Sequence, residues 1–198
     1  LGKQGTKIIK TSRRDIAYNV LNKIDGATTV SATMYIASLA DVRTFATGGI
    51  GGVHRNAEIT MDISADLEEL ALTDVMVICA GIKSILDLGK TLEYLETKGV
   101  PVIGYQTDML PAFYSRESNF KVDFNIETPL EIAQLFHTKQ ALELKGGLLI
   151  TNPIPEKDSL PASKINKVIE EAIKEMDKLG IKGKASTPYL LSKVADIT

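Results

Sequence analysis

The sequence predicts an α/β protein in three layers, α/β/α, with helices on both faces of a central mixed, mostly parallel sheet. Three observations carry that expectation. Short β-rich runs alternate with amphipathic stretches along the chain, the pattern of strands joined by crossover helices. Val75 to Ala80 is an unbroken apolar run, as a parallel strand buried on both faces requires. No internal repeat, low-complexity tract or flexible linker divides the 198 residues, and that length is enough to bury one substantial core. Residues 1–198 are therefore expected to form a single domain.

Taken in order, Lys7 to Lys10 reads as the end of a strand, and Ser12 with Asp15 as a capping pair that opens a helix to about Ile24. Thr29 to Leu39 is a second helix, rich in small residues that permit close packing. Val42 to Ala46 is a strand that runs into the glycine cluster Gly48 to Gly52. Asp66 to Leu72 is a short helix ahead of the Val75–Ala80 strand. Leu86 to Thr97 is helical and closes at Gly99, and Pro101 to Tyr105 is the next strand. Thr107 to Asn119 is irregular. Phe120 to Ile126 alternates as a strand does, and Thr128-Pro129 sets an N-cap before a proline at the first helical position. That helix runs to about Leu144 and stops at Gly146-Gly147. Leu148 to Thr151 is a strand and Asn152 to Pro155 a stiff loop; Ala162 to Leu179 and Pro188 to Ala195 are the closing helices.

Composition narrows the function. Lys and Arg number 23 against 25 Asp and Glu, so no basic face for a nucleic-acid polymer is indicated. Only 6% of residues are aromatic, which disfavours stacking platforms for single strands. No stretch approaches the length of a membrane span, and no targeting segment is visible, which favours the cytoplasm. Cys79 is the sole cysteine and lies inside an apolar run. Disulfides and cysteine-rich zinc sites are thereby excluded, and Cys79 reads as a buried small hydrophobe.

Three segments hold candidate chemistry, each with a plain structural alternative. Thr47 to Arg55 is a glycine cluster after a strand, where backbone N–H groups can approach an anion and His54 and Arg55 can add charge. It matches neither a dinucleotide fingerprint nor a Walker loop, and a tight turn explains it as well. Asp62-Ile63-Ser64-Ala65-Asp66 sets two carboxylates around a hydroxyl. Such residues cap helices; as a functional unit, one carboxylate holds a hard cation while the other moves a proton. Lys83 follows the buried strand at its carboxyl end, where ligands bind in open α/β sheets. Walled by apolar residues, its amine would lose its charge readily and attack a carbonyl; a solvated lysine is the ordinary alternative. Lys10 is equally ambiguous, Arg13-Arg14 reads as a solvated helix face, and His137 lies mid-helix without an implied partner.

The blocks Lys10 to Asp15, Gly26 to Val30, Phe45 to Arg55, Asp62 to Asp66, Cys79 to Asp87, Thr91 to Glu96 and Asn152 to Glu156 occur together and in order. In these the chain resembles the pseudouridine-5′-phosphate glycosidase family, also called indigoidine synthase A-like. The resemblance implies reversible cleavage of the C–C glycosidic bond of pseudouridine 5′-phosphate to uracil and ribose 5-phosphate. It also implies an α/β/α fold, a homotrimer and a divalent metal ion, Mn²⁺. Position by position, it implies Lys83 as the nucleophile that forms a Schiff base with C1′ of the opened ribose, and Asp62 as the metal carboxylate. Ser64, Ala65 and Asp66 become substrate contacts, with Asp66 also the candidate proton shuttle. Lys10 and Val30 become substrate-binding positions, and Thr47 and His54 phosphate ligands.

A C-glycoside offers no linking oxygen to protonate, so the paired carboxylates of ordinary glycosidases do not suffice. An imine at C1′ supplies an electron sink beside the bond that breaks. Family members also carry a glutamate donor ahead of Lys10 and an asparagine on a later helix. Neither is among these residues, so the chain is expected to be part of a longer protein. Two other readings use the same residues: a Schiff-base aldolase acting on another sugar phosphate, and a nucleotide-binding module without catalysis.

Overall fold

The computed structural model describes residue 5, residues 8–181 and residues 183–197. A small sheet comes first. β1 (Ile9–Thr11) pairs in parallel with β2 (Gly26–Thr28), and α1 (Ile16–Leu21) connects them. Lys7, where the sequence reading begins the first strand, lies outside the described residues. The Ser12–Asp15 cap forms as expected, with Ser12 N–H donating to Asp15 Oδ2 at 2.9 Å. A 3-10 turn over Arg13–Asp15 precedes α1, which ends earlier than expected because Lys23 adopts a left-handed φ of 53°.

The main sheet has five strands in the order β3 (Thr44–Ala46), β4 (Met76–Cys79), β7 (Leu148–Thr151), β5 (Val102–Tyr105) and β6 (Phe124–Ile126). Every ladder in both sheets is parallel, so the mostly parallel expectation holds. Antiparallel contacts among the described residues are isolated bridges in loops, such as Val53 with Ile63. One such bridge, Met109 with Lys121, takes the first part of the expected Phe120–Ile126 strand and leaves only its end for the sheet.

Alternation of side chains along the strands divides the core in two. Met76, Ile103, Leu148 and Ile150 face α6 (Pro129–Ala141) through Ile132 and Phe136. Val77, Cys79, Val102 and Leu149 face the opposite layer. That layer comprises α2 (Val30–Leu39), α4 (Ala65–Leu72), α5 (Leu88–Thr97), α7 (Ala162–Lys178) and α8 (Ser186–Ile197). β7 is buried along its whole length, which is why its sequence shows no alternation. Each fully buried leucine or isoleucine stabilises the fold by about 2 kcal/mol over an exposed one.

Helix ends account for the remaining differences. Asp87 caps α5 by accepting from Lys90 N–H at 3.0 Å, so the helix opens at Leu88 rather than Leu86. Thr128 and Glu131 form the expected reciprocal capping pair of α6. That helix stops at Ala141, where the buried Lys139 ammonium donates to the carbonyls of Leu144, Lys145 and Gly146. A one-turn helix, α3 (Ala57–Thr60), sits between left-handed Asn56 and Met61 and carries too little pattern to be read beforehand.

Candidate functional site

Lys83 lies just beyond the carboxyl end of β4, and the glycine loop that follows β3 runs beside it. The two stretches prolong the parallel pairing of their strands. Ala80 N–H donates to Gly48 O at 3.1 Å, Ile50 N–H to Gly81 O at 3.2 Å, and Lys83 N–H to Ile50 O at 3.2 Å. The backbone of Lys83 is thereby fixed, while its side chain lines a cavity of about 560 Å³. Around that cavity converge the ends of β1 and β2, the first residues of α2 and α4, the glycine loop and the start of α8.

Asp66, in the first turn of α4, is 4% exposed. Its Oδ1 accepts from Ser31 N–H at 2.9 Å and its Oδ2 from Gly51 N–H at 2.8 Å. One carboxylate thus ties the start of α2 to the glycine loop. Gly51 leaves no room for a Cβ, which would lie 2.2 Å from Ser64 Oγ. Ser64 caps α4 by accepting from Asp66 N–H at 3.3 Å, so the capping reading of this segment holds. Ser64 and Ala65 line the cavity beside Asp66 and Asp62.

Burial holds the Lys83 amine below its ordinary pKa; the Asp66 carboxylate opposes that shift and the Lys10 cation adds to it. His54 is likewise held down, first by burial, then with Lys10 and Lys83 adding to the effect and Asp62 opposing it. His54 Nδ1 lies 3.9 Å from Asp62 Oδ2, and His54 Nε2 lies 3.4 Å from the Thr187 hydroxyl. Lys10, Val30, His54, Asp62, Ser64, Ala65, Asp66 and Lys83 therefore meet in one cavity, as expected of the site.

Thr47 does not join them. It lines a second cavity, of about 300 Å³, which shares Thr28, Thr29, Val30 and Lys83 with the first. Thr47 is not among the residues that line the first cavity with His54. Nor is the glycine loop an open anion nest along its length. The N–H groups of Gly51, Val53 and His54 donate to Asp66, to the Thr91 hydroxyl and to the Asp62 carbonyl at 2.8, 2.9 and 3.0 Å.

Arg13 and Arg14 are both exposed, as a solvated face requires, and both are also engaged. Arg13 forks onto the buried Glu69, and Arg14 lines the cavity. Arg14 and Ser12 lay within a conspicuous block, Lys10 to Asp15. Thr187 had no local signal, because α8 brings it to His54 from 133 residues away. Cys79 is buried with its thiol pushed up to about 12, and His137 is exposed on α6; neither lines this cavity.

For a metal ion, the donor set is thin. Among the described residues no group of three or more His, Cys, Asp or Glu is placed to hold one. Asp62, with its side chain 31% exposed, fits a hard cation that keeps most of its waters and takes one carboxylate.

The family model described as indigoidine synthase A like protein matches residues 1–198. The chain belongs to the indigoidine synthase A-like family. Curated relatives include pseudouridine-5′-phosphate glycosidases of Clostridium botulinum, 58% identical over 198 residues, and of Geobacillus kaustophilus, 61% identical over 189 residues. All of this chain aligns with the first and 96% with the second, but it spans only 64% and 63% of their lengths. Among solved structures, the prealnumycin C-glycosynthase AlnA in complex with ribulose 5-phosphate superposes with a TM-score of 0.90 at 41% identity. That match covers 97% of this chain and 63% of AlnA. A Thermotoga maritima indigoidine synthase A-like protein gives 0.88 at 34% identity, covering 96% and 62%. The family membership accounts for the α/β scaffold, in which Lys83 and its neighbours gather at the carboxyl ends of β3 and β4.

Proposed function

We propose that this chain carries the catalytic lysine of a pseudouridine-5′-phosphate glycosidase, which reversibly converts pseudouridine 5′-phosphate and water to uracil and ribose 5-phosphate. One observation carries the reading. Lys83, its amine held below the ordinary lysine range, shares a cavity with a fixed anion, Asp66, and with the cations Lys10 and Arg14. The names of the curated relatives and the ribulose 5-phosphate bound to AlnA support the same substrate class.

The neutral Lys83 amine attacks C1′ as the C1′–O4′ bond opens, and O4′ takes up the proton that the nitrogen sheds. C5 of the base takes up a proton, the C1′–C5 electron pair passes to the base, and the lysine nitrogen lone pair closes the C1′ imine. Water then releases ribose 5-phosphate and restores the amine. Asp66 stabilises the cationic imine from a position set by Ser31 and Gly51 N–H. Each oxygen accepts one backbone hydrogen bond and keeps a lone pair for the proton-shuttle role that the resemblance implies. Lys10 and Arg14 draw the phosphate, and the first residues of α2 and α4, Val30 among them, shape the wall around the sugar. Mn²⁺, when bound, would sit at Asp62 and supply positive charge toward the sugar-phosphate oxygens.

The family resemblance supports a homotrimer. Among the described residues no helix is long and apolar enough to cross a membrane, and a nucleoside-monophosphate substrate suits the cytoplasm. The test is borohydride reduction of the full-length protein with ribose 5-phosphate, followed by peptide mass mapping. We expect the sugar phosphate on Lys83 and uracil release from pseudouridine 5′-phosphate. Label on Lys10, or label that survives Lys83→Ala, would refute the assignment; trapping without uracil release would favour an aldolase.

A further inference from the structure

Lys10 and Arg14 reach the cavity from the three-residue strand β1 and the three-residue turn Arg13–Asp15. Neither segment is long enough to hold a direction alone, since a two-stranded sheet is marginally stable by itself. The turn is held by Glu69, which is 1% exposed on α4 and does not line the cavity. We propose that Glu69 is a positioning residue for the reaction: through Arg13 it aims Arg14 and Lys10 into the cavity. The inference rests on the function proposed above and adds to it a residue that no substrate atom touches.

The geometry starts on α4, where Asp66 and Glu69 lie three residues apart and so share a face. Asp66 holds the start of α2 and the glycine loop. Glu69 accepts from Arg13 Nη1 at 2.9 Å on each oxygen, and Oε1 also accepts from the Thr73 hydroxyl. Successive side chains in a 3-10 turn step about 120° around its axis, so neighbours cannot face the same way. With Arg13 turned onto Glu69, Arg14 is turned to the cavity. The Arg13 guanidinium also lies over the Tyr35 ring of α2 at 4.9 Å, which restrains it further. A second tie runs through Ser12, whose Oγ lies 3.1 Å from Ser31 Oγ, while Ser31 N–H donates to Asp66. Asp66, Ser31, Ser12, Arg13 and Glu69 thus close a circuit that begins and ends on one face of α4. A single helix therefore sets both the anion beside Lys83 and the cations opposite it.

Stability alone does not explain a charged pair at this place. A buried ion pair seldom outperforms apolar side chains of the same volume, because desolvating the charges offsets their attraction. What such a pair does supply is direction, since a guanidinium nitrogen held between two oxygens has little freedom left. Only Thr11 and Ser12 separate Lys10 from Arg13, so a displaced turn carries Lys10 with it.

The test uses Glu69→Gln, Arg13→Met and the double variant in the full-length protein, below the melting temperature of each. Borohydride trapping on Lys83 is followed against the concentration of ribose 5-phosphate and, separately, of ribose, which lacks the phosphate. Glu69→Gln should raise the half-saturating concentration of ribose 5-phosphate about tenfold, short of the roughly hundredfold that a 1 Å misplacement can cost. The limiting trapping rate and the response to ribose should stay as in the parent. The double variant should be no worse than either single one, because both act through one contact. It also removes the two charges together, so it decides the matter if Arg13→Met does not fold. An equal loss for ribose and ribose 5-phosphate would mean a merely structural role, and additive losses would mean that Glu69 does not act through Arg13. Either result overturns the inference, as does a lower melting temperature with both sugars unaffected. A parent protein that traps neither sugar on Lys83 would remove the proposed function as well, whereas the other results leave the lysine chemistry standing.

Discussion

The backbone N–H of Gly51 donates to Oδ2 of Asp66 at 2.8 Å, and a Cβ on Gly51 would sit 2.9 Å from that same oxygen. Glycine loop and carboxylate are thus in contact through the one residue type that permits it. Gly51→Ala should destabilise the protein by about 1–3 kcal/mol, because the backbone or the start of α4 has to shift. A thermal melt measures this. An unchanged melting temperature would mean that the loop relaxes without strain.

Arg13 Nη1 lies 2.9 Å from both carboxylate oxygens of Glu69, which is 1% exposed, and the guanidinium stacks over Tyr35 at 4.9 Å. Arg13→Met would leave a buried carboxylate without its cation, at a loss of about 3 kcal/mol. The lower end of the usual range applies because the arginine side chain is itself partly exposed. Arg43→Met at the exposed Arg43–Asp41 contact should lose far less. Urea denaturation of the two variants should separate them clearly; equal losses would show that Glu69 does not depend on Arg13.

Much of this was legible in sequence, and the failures have physical causes. The Val75–Ala80 and Leu148–Thr151 runs announce buried parallel strands because both faces are covered. β2 and α3 were missed because a three-residue strand or one helical turn shows no period. Lys83, Asp62 and Asp66 stood out because a short motif sits at a strand end or a helix start. Thr47 lines the neighbouring cavity, which shares Lys83 and Val30 with the first. Strand β3 and its loop fix which side of Lys83 that hydroxyl reaches, and only the pairing with β4 reveals it. Long-range partners such as Thr187 leave no trace in local pattern.

Cys79 should be inert. Burial pushes its thiol up to about 12, and the sulfur is engaged with Gly81. Iodoacetamide near neutral pH should label the unfolded chain and leave the folded protein unmodified over the same time. Equal labelling rates in both would show that the β4 end opens to solvent.

Asp62→Asn should weaken Mn²⁺ binding by at least about tenfold, since one carboxylate is the main protein ligand proposed and an amide oxygen carries no charge. The increase in melting temperature with added Mn²⁺ reads this directly, without requiring turnover. A variant that keeps the parent's metal response would move the ion to another site.

Lys83 offers a prediction with two signs to check. Burial lowers its pKa below the ordinary value of 10.5, Asp66 opposes the shift, and Lys10 adds to it. Only the neutral amine attacks, so the trapping rate at saturating ribose 5-phosphate should rise with pH and level off above the folded-state pKa. Lys10→Gln removes the like charge and should move that inflection to higher pH; movement to lower pH would contradict the electrostatic account. Stability follows by linkage. Because the folded pKa lies below the unfolded one, the unfolded chain binds more protons between the two values, and stability rises with pH across that window. The penalty for burying a charged amine is complete below the folded-state pKa. Lys83→Met should therefore stabilise the protein most there, and its advantage should fade as the pH approaches 10.5. Chemical denaturation at a series of pH values measures the difference between parent and variant. A constant difference across the series would mean that the amine is already solvated in the folded state, and the case for a nucleophile activated by burial would fall with it.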